Sequence, residues 1–118
     1  MILAVMDDLI FGVKIQEAAK RAGVPIEFVA QADLVVRKAA GTPGVRVILD
    51  LNLRGVDTVE LIGRLKAIPV PVVAYVAHVQ VELRRAAELA GADQVLARSV
   101  FVTKVDQLVR VPDEILGD

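Results

Sequence analysis

Short apolar runs alternate with longer amphipathic stretches along this chain, and that alternation constrains the fold more than any other feature of the sequence. The apolar runs, typical of strands buried on both faces, cover residues 2–6, 26–30, 45–49, 70–76 and 94–97. Helical spacing of apolar residues follows over residues 11–22, 33–40, 59–65, 82–90 and 101–109, with Thr58 as the predicted N-cap of the third stretch. Strict alternation predicts an α/β fold, namely a doubly wound, flavodoxin-like, five-stranded parallel sheet with helices on both faces.

The length and composition fit a single domain, which we expect to span residues 1–111, with residues 112–118 as a short C-terminal tail. Hydrophobic residues make up 55% of the 118 positions, and the formal net charge is −1. Such a balance predicts no nucleic-acid partner and no membrane association. With neither cysteine nor a leader-like N-terminus, the sequence indicates a cytoplasmic protein.

Carboxylates follow two of the predicted strands at their carboxyl ends. Asp7 and Asp8 come directly after the first apolar run, and Asp50 ends the third. In a doubly wound sheet those ends lie near the point where the strand order reverses, so the three side chains should converge on one rim. Converging carboxylates repel one another unless a cation offsets their charge, and Mg²⁺ is the simplest hard cation with oxygen ligands. The alternative stays open that each aspartate only caps a helix or stabilises a turn.

The chain resembles the receiver domains of bacterial two-component response regulators from residue 2 to about residue 109. The segments that carry the resemblance are AVMDDLIF, VRVILDLNLRGVD, IPVPVVAYVAH and AELAGADQVLARS. The resemblance implies that Asp50 is a phospho-acceptor and that Asp7 and Asp8 are metal ligands. It also implies that Asn52 would complete the Mg²⁺ ligands with its backbone carbonyl.

Several positions depart from the receiver pattern. Val76 stands where the family has Thr or Ser, so the hydroxyl that binds a phosphoryl oxygen is missing. Arg98, followed by Ser99, replaces a Lys-Pro pair, and a guanidinium is not equivalent to an ammonium group. Val95 occupies the position of the aromatic switch residue. The resemblance therefore implies a retained acidic pocket, with Arg98 as the candidate phosphoryl contact, and a degenerate switch.

These observations lead to three functional hypotheses. The first is a single-domain, receiver-like signalling protein, possessing no enzymatic turnover, that acts through protein–protein contacts. The second is a complete receiver that a histidine kinase phosphorylates on Asp50 with Mg²⁺. The third is a small-molecule-binding flavodoxin-like domain, which the acidic, bulky stretch after the first strand disfavours.

The expected partner is a histidine kinase or a downstream signalling protein, and the sequence leaves a homodimer open. Candidate partner residues lie on or near the last two predicted helices: Val79, Val81, Leu83, Arg84, Arg85, Lys104 and Arg110. The one histidine, His78, follows the fourth strand, where we expect a partly exposed loop residue that could exchange a proton near the rim.

Overall fold

The computed structural model describes residues 1–77 and 80–110. These residues form five strands: β1 (Ile2–Val5), β2 (Ile26–Phe28), β3 (Arg46–Asp50), β4 (Val72–Val76) and β5 (Gln94–Ala97). Each strand is followed by one helix: α1 (Leu9–Ala22), α2 (Ala32–Gly41), α3 (Thr58–Lys66), α4 (Val81–Leu89) and α5 (Arg98–Leu108). His78, Val79 and the predicted tail lie outside the described residues.

The strands form one parallel sheet in the order β2-β1-β3-β4-β5. The chain moves outward from β1 to β2, returns to pair β3 with the other side of β1, and then continues outward to β5. The strand order therefore reverses between β1 and β3, where Val5 pairs with Leu49. This topology confirms the predicted doubly wound sheet and places the ends of β1 and β3 side by side.

Two apolar layers cover the two faces of the sheet, as the sequence predicts. Alternate residues of β1 point into different layers, since Leu3 packs with α2, α3 and α4 while Ile2 packs with α1 and α5. The second layer contains the three rings of Phe11, Tyr75 and Phe101, whose centroids lie 4.8 to 5.6 Å apart. This aromatic cluster lies beneath the rim that carries the acidic residues.

The helix starts differ from the sequence prediction for one physical reason. Helix α1 begins at Leu9 and α5 at Arg98, whereas the apolar pattern predicted starts at residues 11 and 101. Apolar periodicity reveals only the buried face of a helix, and Phe11 and Phe101 are the first buried residues of these two helices. An exposed first turn gives no such signal.

Two further boundaries need correction. Thr58 is not the N-cap of α3, because Asp57 accepts the Glu60 N–H at 3.1 Å while the Thr58 hydroxyl donates to the Leu51 carbonyl at 3.2 Å. Strand β4 starts at Val72 and not at residue 70, since burial of an apolar side chain extends beyond the hydrogen-bonded part of the strand. Within the part of the chain that the structure describes, no helix is long and apolar enough to cross a membrane.

Candidate functional site

Asp50 is the last residue of β3 and is buried, with 9% of its surface exposed. One carboxylate oxygen, Oδ1, accepts the backbone N–H of Asn52 at 2.8 Å. Burial raises the pKa of Asp50 above its ordinary value, and the negative charges of Asp7 and Asp8 add to that rise. The Asn52 N–H bond and the positive charge of Arg98 act in the opposite direction. A carboxyl group in such surroundings is costly to keep ionised, which is typical of a functional position.

Asp8 uses both of its carboxylate oxygens within the domain. Oδ1 accepts the Phe11 N–H at 3.0 Å and so caps α1, while Oδ2 forms a short ion pair with the Arg98 guanidinium. The bond from the Phe11 N–H and then the Arg98 interaction hold the pKa of Asp8 below its ordinary value. Asp8 therefore favours the ionised form, and it also caps α1, as the alternative interpretation of the sequence proposed.

Arg98 is held from two sides. Its guanidinium carbon lies 4.4 Å from the centre of the Phe11 ring, and its terminal nitrogen pairs with Asp8. Arg98 is the first residue of α5, and this helix starts immediately after β5 ends at Ala97. The residue that the sequence assigned to phosphoryl contact thus reaches the acidic rim, but its direct partner there is Asp8.

The predicted metal ligands share this rim without forming a metal cage. Asp7 and Asp8 follow β1, which is paired with β3, and the negative charges of both raise the pKa of Asp50. Among residues 1–77 and 80–110, however, no group of three acidic or imidazole side chains is arranged to hold a metal ion. The described side chains therefore do not by themselves form a Mg²⁺ site as they stand.

Asn52 makes a contact that the sequence did not reveal. Its side-chain Oδ1 accepts the Ala77 N–H at 2.9 Å, and its Nδ2 donates to the Gln80 Oε1 at 2.7 Å. The same residue's backbone N–H binds Asp50, so Asn52 connects the acidic residue of β3 with the segment that follows β4. The resemblance drew attention only to its backbone carbonyl.

The predicted switch positions contain no polar side chain. Val76 ends β4, is 2% exposed and pairs with Ala97 of β5, while Val95 is buried in β5 opposite Ala74. A valine side chain has no hydrogen-bond donor, so neither residue can bind an oxyanion. The polar link across the strand ends comes instead from Asn52, which meets the backbone immediately after Val76.

Exposed apolar side chains lie beside the acidic rim, at the start of α1. Leu9, Ile10 and Val13 are 84%, 77% and 50% exposed, and Phe28 at the end of β2 is 40% exposed. Leu9, Val13 and Phe28 border a shallow cavity of about 290 Å³ that Asp7 and Asp8 also line. On α4 the candidate partner residue Val81 is 58% exposed and Leu89 is 82% exposed, whereas Leu83 packs partly against the core. We call Leu9, Ile10, Val13 and Phe28 together the α1 corner. The sequence analysis did not identify it, because Leu9 and Ile10 lie outside the buried helical pattern.

No protein-family model and no curated protein matches this sequence. Solved structures do match it. A putative response regulator from Chloroflexus aurantiacus is 21% identical with a TM-score of 0.80, over 99% of this chain and 97% of that one.

Two other similar structures were solved with a ligand or modification in place. The receiver domain of a sensor histidine kinase from Pseudomonas aeruginosa, with a magnesium ion coordinated in its active-site cleft, is 21% identical at a TM-score of 0.79, over 99% of this chain and 97% of that one. A response regulator from Burkholderia pseudomallei, with a phosphorylated aspartic acid, calcium and citrate, is 17% identical at a TM-score of 0.77, over 98% and 69%. The chain has the fold of response-regulator receiver domains.

Proposed function

We propose that this chain is a receiver-like signalling domain that works through protein–protein contacts at its acidic rim and carries out no turnover of a metabolite. The observation that carries the proposal is the combination of a buried, acceptor-like Asp50 with Val76 at the end of the next strand. The apolar α1 corner beside Asp7 and Asp8 supports a protein partner, because exposed apolar groups of this kind are typical of contact surfaces.

In this proposal, a group bound to Asp50 has only a weak effect on the segment that follows β4. A ligand shifts a conformational equilibrium only by its differential affinity for the two conformations. With Val76 in place of a hydroxyl residue, a group bound to Asp50 has no side-chain donor at the end of β4. The Ala77 N–H, which follows Val76, is already bonded to Asn52. Asn52, which binds both Asp50 and Ala77, then offers a route for a signal from Asp50 to the segment after β4.

A second candidate is a complete receiver in which a histidine kinase phosphorylates Asp50 with Mg²⁺. The buried position of Asp50 at a strand end favours it, as do the similar structures that carry magnesium or a phosphorylated aspartate. In that case Asp7, Asp8, Asp50 and the Asn52 carbonyl are the candidate metal ligands. Asp8 is paired with Arg98, so a cation at this rim would share that carboxylate with the guanidinium.

Amide NMR with beryllofluoride, a phosphoryl mimic, distinguishes these candidates. Spectra are recorded with Mg²⁺ alone, with Mg²⁺ and beryllofluoride, and again for Asp50→Asn. We expect shifts confined to the surroundings of Asp50, Asn52 and Arg98, absent in the variant. Shifts that spread along α4 and α5 would overturn the degenerate-switch proposal in favour of a complete receiver. A spectrum unchanged by beryllofluoride would rule out an acceptor role for Asp50.

A further inference from the structure

A groove lies on the α5 side of the sheet, at the amino ends of the strands. Its volume is about 260 Å³, and most of its lining residues are apolar. Val73 and Leu108 line it and belong to the partly buried edge of the second apolar layer. We propose that residues 111–118 fold back into this groove of the same chain and place Ile115 or Leu116 against that layer. The inference goes beyond the proposed function, because the groove lies at the end of the sheet opposite the acidic rim.

The first argument is the position at which this segment leaves the described domain. Arg46 is the first residue of β3 and lines the groove. Its guanidinium donates hydrogen bonds to the backbone carbonyls of Leu108, Val109 and Arg110. One side chain of the groove thus holds three consecutive carbonyls at the end of α5, and Leu108 and Arg110 line the groove themselves. The residues that follow Arg110 therefore start at the edge of the groove.

The second argument is reach. Pro112 has no backbone N–H and disfavours a helical conformation at Val111, so the sequence favours an extended chain after Arg110. An extended chain advances about 3.3–3.6 Å per residue, so the five residues from Arg110 to Ile115 can span about 17 Å. The groove runs from β3 across β4 to β5, which is about 10 Å at two strand spacings. Ile115 and Leu116 are therefore within reach of its whole length.

The third argument is the fit of apolar groups. Ile115 and Leu116 are adjacent, and neighbouring side chains of an extended chain point to opposite sides, so one of the two can face the groove in either orientation of the segment. An apolar cavity of about 150 Å³ accommodates a benzene molecule. The groove, at about 260 Å³, therefore has room for one aliphatic side chain with part of its backbone. Its burial would also remove apolar surface of Val73 and Leu108 from water.

The fourth argument is charge. Asp113 and Glu114 directly precede the aliphatic pair, and the two arginines of the groove supply positive charge near them. Asp93 also lines the groove, but Lys66 already offsets its charge with an ion pair of 2.9 Å. Exposed ion pairs add little to stability, so apolar burial would supply most of the favourable free energy. The charges instead favour an acidic segment over a basic one as the occupant.

Methyl NMR of the whole, unaltered chain tests the contact directly. We expect nuclear Overhauser effects between a methyl group of Ile115 or Leu116 and the methyl groups of Val73 or Leu108. Their absence would overturn the proposal. A mixture of isotope-labelled and unlabelled chains then identifies the source of the segment. Effects that arise only between labelled and unlabelled molecules would mean that a second copy occupies the groove, which contradicts a contact within one chain.

Urea unfolding of two double variants measures what the contact contributes. Ile115→Ser with Leu116→Ser should raise the equilibrium constant for unfolding by about tenfold, because apolar surface returns to water. The matched control is Leu9→Ser with Ile10→Ser, which removes the same two adjacent side chains where they are 84% and 77% exposed. It should change the constant by less than about threefold. Equal effects of the two double variants would refute the proposal, as would an unchanged constant for the variant at residues 115 and 116.

Discussion

Replacing Asn52 with alanine tests whether this residue physically links the acidic rim to the segment after β4. The substitution removes two side-chain hydrogen bonds, to the Ala77 N–H at 2.9 Å and to the Gln80 Oε1 at 2.7 Å. It leaves the Asn52 backbone N–H, which binds Asp50, unchanged. The perturbation is therefore confined to the bridge between the two segments.

The expected size of the effect follows from the exposure of these bonds. Both lie at the surface, where water replaces a lost partner, so each should contribute about 0.5–1 kcal/mol. Loss of the bond at Ala77 should then speed the exchange of that amide by about two- to fivefold. The free energy of unfolding should fall by about 1–2 kcal/mol in total, which lowers Tm by several degrees in a domain of this size.

Amide hydrogen exchange is the assay, with Asn52→Asp as the matched variant. Aspartate keeps an acceptor for the Ala77 N–H and loses only the donor to Gln80, so Ala77 should stay protected. The Leu53 N–H, which binds the Asp50 carbonyl at 3.1 Å on the same loop, serves as an internal reference and should not change. If Ala77 exchanges at the parental rate in Asn52→Ala, the bridge is not formed in solution. Faster exchange of Ala77 and Leu53 alike would indicate general destabilisation and refute a local link.

Three further predictions concern stability, each measured by thermal or urea unfolding. The folded-state pKa of Asp50 is raised, so the contribution of this carboxyl group to the free energy of unfolding is favourable at low pH and is lost as the pH rises through that pKa. Asp50→Asn should therefore stabilise the domain at pH 7 and have little effect below about pH 4. Asp8 has a lowered pKa, so Asp8→Asn should do the opposite: it should destabilise the domain at pH 7, with the loss vanishing as acid protonates the parent's carboxylate. At α3, Asp57→Ala should lower the free energy of unfolding by about 1 kcal/mol, because the N-cap is lost. Thr58→Val should lower it by about 1–2 kcal/mol, because the bond to the buried Leu51 carbonyl is lost. If Asp57→Ala leaves the stability unchanged, Thr58 would have to be the cap after all.

The architecture was predictable because the strands and the helices each have their own pattern of apolar residues in the sequence. A parallel sheet covered on both faces requires strands that are apolar on both sides, and the run from residue 45 to 49 shows this without interruption. The helices show a different repeat because only one side of each is buried. The start of a helix depends instead on a cap, and neighbouring Asp57 and Thr58 are both good capping residues. Which one accepts the hydrogen bond is decided by the path of the backbone.

The site was predictable only as far as topology determines it. Parallel strands bring their carboxyl ends to one edge, so the proximity of Asp8 and Asp50 follows from the strand order. The direct contacts do not follow, because they depend on side-chain directions between residues far apart in the sequence. Arg98 and Asp8 are separated by 90 positions, and Asn52 and Ala77 by 25. The sequence identified Asp8, Asn52 and Arg98 as site residues but not the partner that each one binds.

Arg98 stands where the resemblance to receiver domains implies a lysine, and its guanidinium makes contacts that an ammonium group would not make. A guanidinium is planar, so its edge can bind a carboxylate while its face lies against an aromatic ring. Arg98 makes both contacts, with Asp8 at its edge and the Phe11 ring against its face. An ammonium group has no face to stack and would be freer to turn toward Asp50. Arg98 therefore commits the positive charge to Asp8, while Val76 gives a group on Asp50 no hydroxyl to contact. Both features agree with the proposed contact surface at the acidic rim, whose charge is balanced within the chain.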